Sequence, residues 1–118
     1  MLGFTNQKVF FRVDMGMTLS RNTTALDVVM FERNEHENEE EMDLALKVAQ
    51  QNNIDLSQYN WRDIVWATKT REAAFRYATA EEPEEADEEI EEVHIGNALI
   101  LAEDGDDGFL ILDVKTKN

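Results

Sequence analysis

Two short acidic segments constrain the fold of this chain more than any other feature of its sequence. Residues 32–43 contain seven acids and one base, and residues 81–92 contain nine acids and no base. Together they carry the entire formal net charge of −15, although they make up about a fifth of the 118 residues. Concentrated like charge destabilises a compact fold through self-repulsion, so these segments are expected to be either a functional acidic surface or solvated linkers and helix faces.

The remaining residues have the composition of an ordinary folded domain. They hold ten acids and ten bases, and 42% of the whole chain is apolar, which is enough for a modest core. The chain has no cysteine, which excludes disulfides, zinc–thiolate sites and a thiol nucleophile. Its first residues do not resemble a signal peptide, and no apolar run is long enough to span a membrane. We therefore expect a cytoplasmic protein with one domain over residues 1–118.

The clearest helix is predicted at residues 37–51. Its apolar residues form one stripe, and glutamates crowd its first turn, where acids complement the helix dipole. Asn52 and Asn53 are expected to end it, because asparagine tolerates the left-handed conformation of a helix C-cap. The stripe consists of Met42, Leu44, Ala45, Leu46, Val48 and Ala49.

Strand patterns lie towards both ends of the chain. Alternating apolar residues predict a strand over residues 8–15, and β-branched and aromatic residues favour a second strand over residues 25–32. Apolar runs at 93–102 and 109–114 flank the Gly- and Asp-rich turn 103–108, which is typical of a β-hairpin. These elements predict an α+β fold with a mainly antiparallel sheet, one clear helix and a C-terminal hairpin.

The middle of the chain allows more than one interpretation. Ser57 can cap a helix that enters through Trp61, or the short apolar run that follows can be a buried strand. We favour a strand near residues 62–69, followed by a strand or a helix near residues 72–79.

The second acidic segment is equally open. Pro83 is suited to the first turn of a helix from about residue 84 to 92. Ala86 and Ile90 are the only apolar residues there, so the segment is predicted to be a weakly anchored helix or a flexible loop.

No catalytic or metal-binding motif is found. The acids and glycines of the turn 103–108 do not fit the register of a calcium loop, and phosphate-binding and nucleophile-elbow patterns are missing. His36 and His94 each lie among acids and are interpreted as solvated surface residues. The sequence therefore predicts no enzymatic activity and no cofactor.

A cluster of bases beside aromatic residues suggests nucleic-acid binding only superficially. A few positive charges do not overcome a net charge of −15, so the aromatics are interpreted as core and the bases as partners for nearby acids. Direct binding of nucleic acid or of an anionic membrane is not expected. The bases are Arg62, Lys69, Arg71 and Arg76, and the aromatics are Trp61, Trp66 and Tyr77.

Regularly spaced carboxylates can imitate a nucleic-acid backbone. Duplex DNA carries about one negative charge per 1.7 Å of its axis. Carboxylates four residues apart on a helix, or two apart on a strand, repeat every roughly 6–7 Å. In its size, charge and two acidic segments the chain resembles the DNA-mimic proteins, a group without a common fold or sequence motif. The resemblance implies a basic DNA-binding partner, since phage members inhibit restriction or CRISPR enzymes and bacterial members bind nucleoid proteins such as HU.

The expected partner-binding surface consists of acids from both segments and from the C-terminal turn. They are Glu35, Glu37, Glu39, Glu40, Glu41, Asp43, Glu81, Glu82, Glu84, Glu85, Asp87, Glu88, Glu89, Glu91, Glu92, Asp104, Asp106 and Asp107.

Two other functions fit the sequence. The chain can be an immunity protein or antitoxin that neutralises a basic nuclease toxin, in which case Tyr59, Trp61 or Trp66 is expected to be exposed beside the acids. It can also be an accessory protein whose acidic segments only solvate it. The sequence leaves its oligomeric state open.

Overall fold

Six strands form one antiparallel sheet, accompanied by four α-helices in the part of the chain that the structure describes. The computed structural model describes residues 2–13, 18–35, 39–78, 82–104 and 107–115. The strands are β1 (Gly3–Phe4), β2 (Val9–Val13), β3 (Ile64–Thr68), β4 (Ile90–His94), β5 (Ala98–Asp104) and β6 (Gly108–Asp113). The helices are α1 (Ala25–Glu35), α2 (Glu39–Gln51), α3 (Arg71–Ala74) and α4 (Pro83–Glu89), with 3₁₀ turns at Leu56–Gln58, Trp61–Asp63 and Phe75–Tyr77. The sheet order is β1-β5-β6-β3-β2-β4.

The sheet curls back on itself through two bent strands. The antiparallel register of β1 with β5 continues without a shift into that of β2 with β4. Two backbone hydrogen bonds span the bend, from Thr5 N to Ala98 O at 3.1 Å and from Ile95 N to Lys8 O at 2.8 Å. Because β2 also pairs with β3, and β6 lies between β3 and β5, the strand pairings close into a ring.

Each face of this curled sheet carries its own apolar cluster, because successive residues of a strand point to opposite faces. Leu110 and Leu112 of β6 belong to the cluster that contains the buried residues of α1 and α2. Ile111 lies between them in sequence and belongs to the other cluster, inside the ring, with the fully buried Phe10. Truncating Phe10 to alanine is expected to lower the free energy of unfolding by about 3–5 kcal/mol.

The helix pair covers the outer face. Val29 of α1 and Met42 of α2 are both fully buried, as are Leu99 and Leu101 of β5 in the same cluster. Helix α2 therefore follows its predicted apolar stripe, except that Leu44 remains 45% exposed.

The strand predicted over residues 25–32 is wrong, because this segment is helix α1. Thr24 and Asp27 form a reciprocal cap: Thr24 Oγ1 accepts from Asp27 N at 3.1 Å, and Asp27 Oδ2 accepts from Thr24 N at 2.9 Å. Ala25 and Val29, one helical turn apart, are both fully buried. The cap and the packing against α2 thus override the β propensity of the segment.

The predicted helix 37–51 is confirmed over Glu39–Gln51, and its first residues lie partly outside the described part of the chain. Asn53 has a φ of 60°, which is the left-handed conformation expected at its end. The expectation of one clear helix is corrected, because α1, α3 and α4 are helical as well. Helices α1 and α4 are held by capping or burial that periodicity alone does not reveal.

The remaining elements agree with the sequence in outline. The strand near 62–69 is β3, and the segment near 72–79 adopts the helical alternative in α3 and the 3₁₀ turn that follows. The C-terminal hairpin is confirmed in β5 and β6, although Val93 and His94 belong to the separate strand β4. Residues 14–15 of the first predicted strand and 105–106 of the hairpin turn lie outside the described residues.

Candidate functional site

The second acidic segment forms helix α4, which is anchored on its apolar side. Pro83 occupies its first turn, and Ala86 N donates to Glu82 O at 3.0 Å. Ala86 and Ile90 are each only 6% exposed, so the two apolar residues of the segment both reach the core. Of the two predicted alternatives, a helix to about residue 92 or a flexible loop, the segment adopts the helix, which ends at Glu89 because Ile90 begins β4.

The burial of these anchors leaves the carboxylates on the outside of α4. Helix positions one turn apart share a face, so residues offset from Ala86 and Ile90 face solvent. Glu82, Glu84, Glu85, Asp87 and Glu88 are exposed, and Glu89 is half-buried. An anchored helix with outward acids is thus the form that the most acidic stretch of the sequence takes.

Arg71 connects α4 to α3. Its Nη1 lies 3.0 Å from Asp87 Oδ1, and its guanidinium lies 5.6 Å from the centre of the Phe11 ring on β2. Both charged side chains are substantially exposed, and an exposed ion pair contributes at most about 1 kcal/mol. The contact therefore fixes the position of α4 more than it stabilises the fold.

The acidic row continues from α4 into β4. Glu91 lies opposite Arg12 of β2 and forms an ion pair with it. Glu92 points to the other face, where its Oε2 is 3.5 Å from Nε2 of the exposed His94. One cation of β2 thus neutralises Glu91, while Glu92 and His94 remain at the surface.

The first acidic segment is organised around Arg33 of α1. Arg33 Nε donates to Asp43 Oδ1 at 2.8 Å, and Arg33 Nη2 donates to Glu39 Oε1 at 2.9 Å. The hydrogen bond to Asp43, helped by the charges of both acids, raises the pKa of Arg33. Glu40 and Glu41 are exposed on the same turn of α2. The segment thus supplies its own cation, which joins α1 to α2.

Asp107 of the C-terminal turn lies close to α3. Asp107 has a φ of 65°, and its Oδ2 lies 3.2 Å from Arg76 Nη1 in the 3₁₀ turn after α3. Because α3 is also joined to Asp87, residues 71–77 connect the hairpin turn with α4. Asp104 ends β5, and Asp106 lies outside the described residues.

The expected site residues thus fall into groups held by different cations. Glu39 and Asp43 meet at Arg33, while Asp87, Glu91 and Asp107 each pair with a cation from another element. Glu35 ends α1, whereas Glu37 and Glu81 lie outside the described residues.

The cations that position these acids were only partly anticipated. The interpretation of bases as partners for nearby acids is confirmed for Arg71 and Arg76. Lys69 instead lies 4.8 Å above the Phe109 ring, and Arg62 lies 5.3 Å from the centre of the Trp61 ring. The role of Arg12 was missed, because its partner is distant in sequence and only the strand pairing brings the two together.

The aromatics whose exposure would favour an antitoxin are partly buried. Tyr59 and Trp66 pack against the outer apolar cluster, and Trp61 Nε1 is buried without a hydrogen-bond partner among the described residues. Exposed large side chains on α1 and α2 are instead Phe31, at 57%, and Leu44, at 45%. The interpretation of Tyr77 as core is wrong, because Tyr77 is 38% exposed in the 3₁₀ turn after α3. The apolar pattern of α1 and α2 in the sequence did not indicate that Phe31 and Leu44 are exposed.

The described residues bring no three His, Cys, Asp or Glu side chains close enough together to hold a metal ion. Nor does this part of the chain contain a helix that is long and apolar enough to cross a membrane.

Comparison with known proteins adds no relative. No protein-family model matches the chain, and neither a curated protein nor a solved structure is significantly similar to it.

Proposed function

We propose that this protein binds a basic DNA-binding protein and occupies its DNA-binding surface with the acids of α4 and β4. The observation that carries the proposal is the anchoring of α4. A mimic of a rigid polyanion must hold its charges in place, and burial of Ala86 and Ile90 does this for the helix. Nucleoid proteins and restriction or CRISPR nucleases are partners with a suitable cationic surface.

The spacing of the outward acids supports this mechanism. Glu84 and Glu88 are four residues apart on one helix face, which separates them by about 6 Å along the axis. Glu85 lies beside them on α4, and Glu92 follows in β4. A cationic groove that accepts phosphates at regular intervals meets carboxylates at a similar repeat.

Three of the exposed acids of α4 are also left out of the described ion pairs. Asp87 and Glu91 pair with Arg71 and Arg12, whereas Glu84, Glu85 and Glu88 are exposed carboxylates without an ion pair to another described residue. Their field is therefore directed outwards and steers a basic partner towards the helix.

Competition for HU tests the proposal. A DNA duplex bound to HU is titrated with the protein, which is expected to displace the DNA, and the affinity is expected to fall steeply from about 50 mM to about 500 mM salt. Combined Glu84→Gln, Glu85→Gln and Glu88→Gln substitutions are expected to weaken binding about tenfold or more.

A control variant keeps the overall charge equal. Combined Glu40→Gln, Glu41→Gln and Glu72→Gln changes remove three exposed carboxylates from α2 and α3 and leave α4 intact. We expect them to weaken binding much less. Equal losses in the two variants would show that net charge alone matters, and no displacement from HU or from a nuclease would reject the mimic and favour acidic segments that only solvate the protein.

A second candidate function is supported by the exposed Phe31 and Leu44. Phe31 lies on α1 and Leu44 on α2, the two helices that Arg33 joins, and large side chains that a partner can cover are candidate hot spots of an interface. Under this proposal, Phe31→Ala is expected to lose more affinity for a nuclease toxin than the α4 triple variant does. The opposite order of losses supports the DNA-mimic surface.

A further inference from the structure

A cleft of about 320 Å³ is lined by β4 together with residues of β2, β3 and β6. One wall is formed by the consecutive residues 91–95. Alternate residues of a strand point to opposite faces, so a cleft over one face would be lined by every second residue. A wall of consecutive residues means that the cleft follows the strand edge, where the backbone is accessible.

The backbone groups at this edge are those of Glu92 and His94. In an antiparallel pair, both backbone groups of a residue point either to the partner strand or away from it, in alternation. Ile95 N donates to Lys8 O, so Val93 and the other odd positions face β2. Phe11, the partner of Glu92 in the register, faces β3 instead and accepts from Thr68 Oγ1 at 3.2 Å.

Among the described residues, no strand pairs with this edge. β4 pairs with β2 and is the last strand in the sheet order. Glu92 and His94 therefore present two N–H and two C=O groups towards the cleft. Extended peptides bind such edges by joining the ladder, and backbone hydrogen bonds provide much of the affinity.

The side chains around the cleft favour a cationic occupant. The acids are Asp63, Glu91, Glu92 and Asp113, and the arginines are Arg12 and Arg62. Arg12 is paired with Glu91, and Lys115 lies 3.5 Å from Asp63. Glu92 and Asp113 are therefore the lining acids that no described lysine or arginine pairs with, while Arg62 lies over the Trp61 ring. Val65 and Val93 add apolar contact area between the acids. Alternating lysines and apolar residues in an extended peptide match this lining.

We propose that the edge of β4 and its cleft bind an extended, lysine- or arginine-containing segment of the partner as an added strand. This inference rests on the proposed function, because the basic partner proposed there supplies the lysine- or arginine-containing segment. A second copy of this chain is a poorer occupant, because pairing β4 with itself brings glutamates of the two copies close together. Nucleic acid is repelled by the same acids.

A short labelled peptide of alternating lysine and valine tests the inference. Fluorescence anisotropy is expected to show binding, with NMR shifts at the amides of Glu92 and His94. The same peptide N-methylated at alternate amides keeps its charge but loses the hydrogen bonds of one edge, and is expected to bind at least about tenfold more weakly. Equal binding of both peptides, or shifts confined to α4, would overturn the proposal.

A backbone variant of the protein gives the complementary measurement. His94→Pro removes an N–H that faces away from β2, which an edge strand tolerates. His94→Pro is expected to lower the affinity for the unmethylated peptide about tenfold, whereas His94→Gln is expected to retain it. If His94→Pro does not fold, the two peptides on the unaltered protein still decide the question.

Two further readouts separate this inference from the proposed function. If the peptide binds but DNA is not displaced from HU, the edge site is supported and the DNA-mimic proposal is rejected. If DNA is displaced but the peptide does not bind, the DNA-mimic proposal is supported and the edge site is rejected. Sedimentation of the protein alone is expected to show no dimer formed through the edge of β4. A dimer of this kind would be recognised because His94→Pro would abolish it. Such a dimer would overturn the assignment of a peptide to this edge.

Discussion

The two acidic segments have similar composition but opposite internal organisation. The first contains Arg33, which lies between Asp43 and Glu39 and joins α1 to α2. The second contains no base, and Arg12 and Arg71 pair with it from β2 and α3. Charge density alone therefore does not define a binding surface. What matters is whether the segment carries its own counter-ion, because a segment that does uses part of its charge to connect helices.

The anchors show the same difference. Helix α2 buries four residues along its length, and α4 relies on Ala86 and on Ile90, which immediately follows it. A short helix with a small apolar contact area depends strongly on each anchor. The acids of α4 are accordingly held in place by few contacts. Substitutions at single residues can therefore test the difference between α2 and α4.

Removing an anchor is expected to have the largest effect. Ile90→Ala deletes a side chain that is 6% exposed and is expected to lower the free energy of unfolding by about 2–4 kcal/mol. Urea unfolding measures the loss, and limited proteolysis shows whether α4 opens first. Leu44→Ala on α2 is the control, because that side chain is 45% exposed and its loss is expected to be small. Equal losses would mean that α4 does not depend on its anchor.

Removing the cation of each segment sharpens the contrast with a smaller effect. Arg33→Met breaks both hydrogen bonds that join α1 to α2, while Arg71→Met breaks one ion pair of α4. We expect Arg33→Met to lower the thermal midpoint more and to leave HU binding intact. Arg71→Met is expected to change stability little but to weaken binding, because Asp87 loses the contact that positions α4. A reversed pattern would contradict the division of roles.

The sequence predicts the parts of the fold whose signals are local. The stripe of α2 and the turn between β5 and β6 are read directly from neighbouring residues. Helix α1 was missed because Val28, Val29 and Phe31 favour strands, although Thr24 and Asp27 carry its cap. The reciprocal bonds between that pair were a local signal that the propensity of the following residues concealed.

The site is less predictable than the fold, for a physical reason. The acids themselves are evident in the sequence, but their cations are supplied by tertiary pairing. Arg12 meets Glu91 only because β2 and β4 are paired, 79 residues apart in the chain. The open edge of β4 likewise depends on the curled sheet, which no local pattern encodes. A surface built from such tertiary contacts is therefore recognised only in the structure and not in the sequence.

The smallest expected effect concerns Asp55, a carboxylate outside both segments that is held by local hydrogen bonds alone. Its Oδ1 accepts from Ser57 Oγ at 2.6 Å and from Ser57 N at 3.0 Å, and these bonds lower the pKa of Asp55 below its ordinary value of 3.8. A lowered pKa in the folded state stabilises the fold above the ordinary value, and this contribution disappears as the pH falls through the folded-state pKa.

Ser57→Ala is therefore expected to raise the pKa of Asp55 in an NMR titration of its carboxyl carbon. The variant is expected to be slightly less stable than the unaltered protein at pH 6, with the difference shrinking as the pH falls through the folded-state pKa of Asp55. Ser57→Thr retains the hydroxyl and is the control. A stability difference that grows as the pH falls would contradict the assigned direction, and it would mean that local hydrogen bonds do not give this isolated acid the stabilisation that the clustered acids obtain from arginines.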